Sequence, residues 1–296
     1  MYFLGPVPDN AFVLGPVDGL LRVVTQLDRE KTSMYNLTVR AHDRGFPPQS
    51  SVQYIVVHIL DENDNPPVMN PAHYSAIIPE NASIGLSVVT VTATDADDGL
   101  NGRIRYQITA GDENHDFTIA DDYGIIRVAK NLNYESKNKY VLTVTAEDSG
   151  TEVRYSTATV NIDITDINDN APVFQHSPYL VWVMEGTVSQ LPQVITRVTA
   201  YDADTKENNQ VSYLIKDGGA GFFKMDAMTG DVELIRELDR EKQEEYTLTV
   251  VAMDTGKALI IIVLFMILCS NKLPMCKYFD DGYHISGFFS VRISVS

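Results

Sequence analysis

Tyr140-Val141-Leu142-Thr143-Val144-Thr145-Ala146-Glu147-Asp148 decides how this chain folds. Tyr, Leu, Val and Ala stand at alternate positions, the period of two that turns one face of a strand to a core and the other to solvent. Asp148 closes the run at the strand's rim. The pattern recurs without a gap as Tyr35-Asn36-Leu37-Thr38-Val39-Arg40-Ala41-His42-Asp43 and as Tyr246-Thr247-Leu248-Thr249-Val250-Val251-Ala252-Met253-Asp254. A domain-sized interval separates the copies, so the chain reads as a row of similar modules.

Working outward, each copy is preceded by an apolar anchor and two polar side chains that can converge on one spot. These are Leu27-Asp28-Arg29-Glu30, Leu132-Asn133-Tyr134-Glu135 and Leu238-Asp239-Arg240-Glu241. Downstream, a strand carrying Ile55, Val57 and Ile59 on one face runs into Asp61-Glu62-Asn63-Asp64-Asn65. Its counterpart, with Val160, Ile162 and Ile164, runs into Asp166-Ile167-Asn168-Asp169-Asn170, 105 residues further on (61 to 166). Pro66-Pro67 and Ala171-Pro172 follow, which restrict the backbone and predict short, stiff, extended connections. Further alternating runs cover Val89–Asp95 and Thr196–Asp202. No long 3.6-residue pattern precedes residue 257, so helix content is expected to be low. About seven short strands per repeat, each with one apolar face, predict an all-β, two-sheet antiparallel sandwich.

The 296 residues carry 40 acids against 23 bases, a formal charge of −17. Phosphate backbones need clustered Lys and Arg, so no nucleic-acid partner is expected. Many of the acids fall at the repeat junctions, in groups suited to a hard cation. The only cysteines, Cys269 and Cys276, lie near the end of the chain, so neither disulfides nor thiolate zinc sites hold the repeats together. Asn36-Leu37-Thr38 and Asn81-Ala82-Ser83 fit the N-glycosylation sequon of a glycoprotein. Met1–Pro6 shows no basic n-region or sustained apolar stretch, so no signal peptide is visible.

Catalytic readings fail on the residues. The six histidines are scattered and no nucleophile elbow or phosphate loop occurs. Acid pairs such as Asp28 and Glu30 recur in every repeat, which favours a structural role over a single glycosidase-like site. Asp95-Ala96-Asp97-Asp98-Gly99 resembles the start of an EF-hand, but Leu100 stands where the loop needs Gly and Tyr106 where it needs Glu. Neither an enzyme nor a small-molecule substrate is expected.

Pro79-Glu80-Asn81, Leu-Asp-Arg-Glu, Asp95-Ala96-Asp97-Asp98-Gly99-Leu100-Asn101, Ala-x-Asp and Asp-x-Asn-Asp-Asn-x-Pro occur together and in order. In this the chain resembles the cadherin ectodomain repeat, most closely the long atypical cadherins of Fat, Dachsous, protocadherin or hearing-related type. The resemblance implies tandem seven-strand Greek-key (immunoglobulin-like) sandwiches with calcium-binding linkers. It divides the chain into residues 1–65, a partial repeat without its front; 66–170, a complete repeat; 171–256, a repeat lacking its last strand; and 257–296, a tail outside the family pattern.

Carried over residue by residue, the resemblance implies Ca2+ at both junctions. The first takes Asp28, Glu30, Asp61, Asn63, Asp64, Asp95, Asp97 and Asp148, with the carbonyls of Glu62, Asn65 and Asn101. The second takes Glu80, Asn133, Glu135, Asp166, Asn168, Asp169, Asp202, Asp204 and Asp254, with the carbonyls of Ile167, Asn170 and Asn208. All of these offer oxygen, the donor that Ca2+ prefers. Asn133 replaces a charged ligand, and Thr205-Lys206-Glu207-Asn208-Asn209 departs from the Asp-Gly-Leu-Asn-Gly loop. The implied function is calcium-dependent cell–cell adhesion through a rod-like ectodomain, with another cadherin on an apposed cell as homophilic or heterophilic partner. The alternative is a heterophilic receptor–ligand signalling ectodomain of planar-polarity type. An extracellular location at the plasma membrane follows from the resemblance, with membrane anchoring expected of the full-length protein.

Ala258–Cys269 is an uninterrupted apolar run that spans only about 18 Å as a helix, short of a ~30 Å hydrocarbon core. Residues 257–296 are therefore read as non-native sequence, for instance intron read-through at Gly256-Lys257. Trp182 lies deep within the chain and is expected to be a structural tryptophan rather than one exchanged between partners.

Overall fold

A computed structural model describes residues 1–186, 190–205, 208–254 and 261–270. Among these, every regular element is a strand except two single 3-10 turns, Pro8–Asn10 and Gly219–Gly221. The chain divides into two compact units, Met1–Ile167 and Asn168–Ser296.

In the first unit, Lys139–Glu147 pairs antiparallel with Arg105–Ala110 on one side and Tyr155–Thr165 on the other. Tyr155–Thr165 in turn takes His73–Pro79 as a parallel neighbour. A second sheet sets Ile125–Val128 between Phe117–Ile119 and Ser87–Thr90. The alternation read from the sequence is the buried face: Tyr140, Leu142, Val144 and Ala146 pack with Val160, Ile162 and Ile126 in one core. The remainder of this unit pairs Met34–His42 with Tyr2–Leu4 and Ser50–His58, over a core of Ala11, Phe12, Tyr35 and Leu37. Among the described residues, Ser50–His58 has a strand neighbour on one edge only, and its Val52, Tyr54, Ile55 and Val56 are exposed.

The alternating runs Val89–Asp95 and Thr196–Asp202 are each divided between two strands. Ser87–Thr90 pairs with Ile125–Val128, whereas Ala93–Thr94 pairs with Val68–Met69. Likewise Gln193–Arg197 pairs with Asp231–Leu234, and Ala200–Tyr201 with Val173–Phe174. The break falls where the chain changes partners. There the N–H groups of Val91 and Val198 donate to the carbonyls of Gly124 and Gly230, both at 2.9 Å. Those glycines adopt φ of +65° and +70°, and a Cβ on either would collide with the Val91 or Val198 carbonyl oxygen. Only glycine meets both demands at that turn.

In the second unit, Glu245–Met253 pairs antiparallel with Ser212–Gly218 and with Ile261–Ser270. Ile261–Ser270 also runs parallel to Tyr179–Met184. It thus holds the position in its sheet that Tyr155–Thr165 holds in the first unit. The expectation that the third repeat lacks a closing strand does not hold for these residues. The sequence of this strand is a continuous apolar run without a period, which pattern alone cannot separate from other buried segments. Ile267 is fully buried in the core beside Leu248 and Val250. Residues 271–296 of the tail, Cys276 among them, lie outside the described residues. No helix among the described residues is long and apolar enough to cross a membrane.

Along Tyr179–Met184, Tyr179 and Val183 turn inward, whereas Trp182 and Leu180 are half exposed. Asn36 and Asn81, the two sequon asparagines, are both exposed.

Candidate metal centre

The first linker gathers oxygen from four stretches of the first unit. Glu30, Asp64 and Asp97 each bring a carboxylate oxygen within 4.8 Å of the others. Asp97 is fixed by the linker itself: Asn65 donates its backbone N–H to Oδ2 (3.1 Å) and its side-chain Nδ2 to Oδ1 (2.6 Å). Asp95 caps the same loop, its Oδ1 accepting the Asp97 N–H at 2.9 Å. Asn101 Nδ2 donates to Asp61 Oδ2 (2.7 Å). Asp148, almost fully buried, accepts the N–H groups of Gly150 and Arg154, both at 3.0 Å. The Glu62 carbonyl accepts the Asp64 N–H. Asp28 Oδ1 accepts the Lys31 N–H, and its Oδ2 pairs with Lys31 Nζ at 2.7 Å.

Two arginines enter this cluster. The Arg154 side chain donates to the Asn63 carbonyl (2.7 Å), while Asn63 Nδ2 donates to the Glu152 carbonyl (2.7 Å). Arg29 pairs with both Glu30 and Asp61. Burial pushes the Asp61 carboxyl up, but the Asn101 hydrogen bond, the Asp98 backbone and the Arg29 charge outweigh it and hold Asp61 below its usual value. Asp95 goes the other way. Burial first, then the charges of Asp97 and Asp148, push its carboxyl up. Two carboxylates about 5 Å apart repel by roughly 3 kcal/mol at an effective dielectric near 20, so such a cluster wants a positive charge in its midst.

The donor set fits Ca2+. Every implied ligand is a carboxylate, amide or carbonyl oxygen. Asn63 Oδ1 and Asp95 Oδ2 are both buried with no hydrogen-bond donor, although such atoms are normally satisfied. Gly150 closes the cradle, since a Cβ there would come within 2.9 Å of Asn101 Oδ1.

The set implied for the second linker divides between the two units. In the first, Glu80 is buried and accepts two N–H groups, from Tyr134 at Oε2 (2.7 Å) and Ile167 at Oε1 (2.8 Å). Asn133 Oδ1 accepts the Ser136 N–H (2.7 Å), and Glu135 is exposed on the same turn. Asp166 is half-buried. In the second unit, Asp204 repeats the arrangement of Asp97: Asn170 donates Nδ2 to its Oδ1 (2.6 Å), and Asp202 Oδ1 accepts its N–H (3.0 Å). Asn170 Nδ2 also reaches Asp169 Oδ1 at 2.9 Å. Asn168 Nδ2 donates to the Asn208 carbonyl (3.2 Å), and its buried Oδ1 has no hydrogen-bond donor. Asp202, Asp204 and Asp254 are all buried. Lys206 and Glu207 lie outside the described residues.

Sequence reasoning missed one group. Glu185, Asp239 and Glu241 also bring carboxylate oxygens within 4.8 Å of one another in the second unit. Glu185 accepts the Arg240 N–H (3.0 Å), as Glu80 accepts that of Tyr134. Its neighbours Met184 and Gly186 hide the Pro-Glu-Asn motif, but its 105-residue spacing from Glu80 marks it.

The family model described as the cadherin domain matches residues 1–60, 74–165 and 182–259. Protocadherin Fat 4 of Mus musculus is 41% identical over 247 residues, 83% of this chain and 5% of that protein. Protocadherin Fat 1 of Homo sapiens is 38% identical over 258 residues, covering 86% of this chain and 6% of the relative. The chain thus spans only about one-twentieth of these relatives. Among solved structures, mouse Cadherin-23 EC22-24 is similar at a TM-score of 0.79 and 30% identity, over 91% of this chain and 85% of that one. Mouse Protocadherin-24 EC1-3 gives a TM-score of 0.79 at 25% identity, over 91% and 90%.

Proposed function

The chain belongs to the cadherin family, and from that premise we propose that it is a stretch of extracellular repeats whose linkers bind Ca2+ in the service of cell–cell adhesion. The observation that carries the reading is the first linker, where Glu30, Asp64 and Asp97 converge beside the donorless Asn63 Oδ1 and Asp95 Oδ2. Bound calcium supplies positive charge and a demand for six to eight oxygens. The chain's own residues do the rest. Asn65 orients Asp97, Asp148 ties the site to the Arg154 loop, and Glu30 brings in the base of the preceding repeat. Asn170 and Asp204 repeat that arrangement at the second linker, where the same role is proposed.

Extracellular calcium modules bind at about 10⁻⁴–10⁻³ M. At about 1 mM ion each site then adds about 0.4–1.4 kcal/mol. That is too little to fold a sandwich whose core is already apolar, and enough over several sites to fix one repeat against the next. The role is non-catalytic, and the partner is another cadherin on an apposed cell, with the full-length protein anchored in the plasma membrane. Heterophilic receptor–ligand signalling is the second reading, supported by the similarity to the Drosophila protein named Protocadherin-like wing polarity protein stan.

Cells expressing the full-length protein are expected to aggregate in calcium and disperse in EGTA. Mixing them with non-expressing cells separates the partners: sorting into pure clumps supports the homophilic form, and mixed clumps the heterophilic one. Aggregation indifferent to EGTA overturns the calcium-dependent reading.

A further inference from the structure

We propose that Arg29 is a built-in counter-cation of the first linker, holding in the absence of calcium the same carboxylates that calcium takes, and so lowering this linker's calcium affinity. The inference deepens the calcium reading and rests on it.

One guanidinium touches three stretches at once. Its Nη2 lies 2.7 Å from Glu30 Oε1, at the base of the first repeat. Its Nε pairs with Asp61 Oδ1, in the linker. Nη2 also donates to the Ala96 carbonyl at 2.8 Å, between Asp95 and Asp97 of the following repeat. The side chain is largely enclosed, at 18% exposure, so water screens these pairs little.

Guanidinium and Ca2+ satisfy the cluster by different means. Arg offers one charge and a rigid fork of N–H donors, whereas the ion offers two charges and asks for lone pairs. A lone pair of Glu30 or Asp61 given to Arg29 is not available to the ion, and two cations a few ångströms apart repel. Filling the site therefore requires Arg29 to withdraw. The motif differs in the second repeat. Tyr134 stands at the matched position before the second linker and brings no charge. Arg240, at the third, pairs with Glu244 four residues on (3.0 Å).

The test uses the whole chain in an Asp169→Ala background, so that first-linker sites dominate the calorimetric heat. Arg29→Gln is expected to tighten calcium binding by about three- to tenfold. In EGTA it is expected to speed hydrogen exchange across residues 61–65 and 95–98. Arg29→Lys, which keeps the charge and loses the fork, is expected to show the same faster exchange with a smaller gain in affinity. Unchanged or weaker binding in Arg29→Gln, or exchange unaltered in both variants, overturns the proposal while leaving the calcium reading intact. If the parent binds no calcium, both fall together.

Discussion

The first polar residue of the Leu-Asp-Arg-Glu motif has two separable duties. In all three repeats its Oδ1 accepts the N–H three residues on: Asp28 from Lys31, Asn133 from Ser136 and Asp239 from Lys242. Asn performs that turn-capping as well as Asp, but contributes no charge. Asn133→Asp is therefore expected to tighten calcium binding at the second linker while the unfolding temperature in EGTA stays unchanged. Calorimetry paired with thermal unfolding checks both, and a fall in EGTA stability would show that the amide has a local role of its own. Tyr140 sets a different residue-scale test. Its hydroxyl donates to Asp116 Oδ2 at 2.9 Å inside the core. Burial, and then the Asp116 hydrogen bond and charge, raise the phenol well above its ordinary 10.0. A raised pKa means that this bond contributes fully below about pH 10 and is lost as pH rises through the folded-state value. Tyr140→Phe should cost about 1.5–3 kcal/mol at neutral pH. The variant should also show a shallower loss of stability above pH 10, measurable by denaturant titration across that range.

Among elements, the strands with one buried face were legible because alternation is written into Tyr140–Ala146 and its two copies. The Ile261–Ser270 strand was not, since its uninterrupted apolar run carries no polar alternation to mark it as a strand. If that segment closes its sheet, Ile267→Ala should destabilise the second unit by about 2–5 kcal/mol. Unfolding of the variant at wild-type denaturant concentration would return the run to the status of an appendage. The breaks near Val91 and Val198 left no mark in the strands themselves, being set by the carbonyls of Gly124 and Gly230 across the turn. Gly124→Ala forces a left-handed alanine against the Val91 carbonyl and is expected to cost at least about 1–2 kcal/mol in chemical denaturation. The proposed linker ligands could be named from sequence because each sits in a short motif with fixed spacing. Glu185 escaped because its flanks differ, and the position of Arg29 escaped because nothing local says where a guanidinium on a four-bond stem will settle.

For the whole molecule, the −17 charge and the linker carboxylates stand behind one proposal: apolar cores fold the repeats, and cations bound at the linkers would govern how firmly one repeat is held to the next. Small-angle X-ray scattering of the intact chain, followed through a calcium titration and back with EGTA, tests this most directly. The profile is expected to change over about 10⁻⁴–10⁻³ M calcium and to return on chelation, with strand content by circular dichroism constant throughout. Superimposable profiles with and without the ion would contradict it.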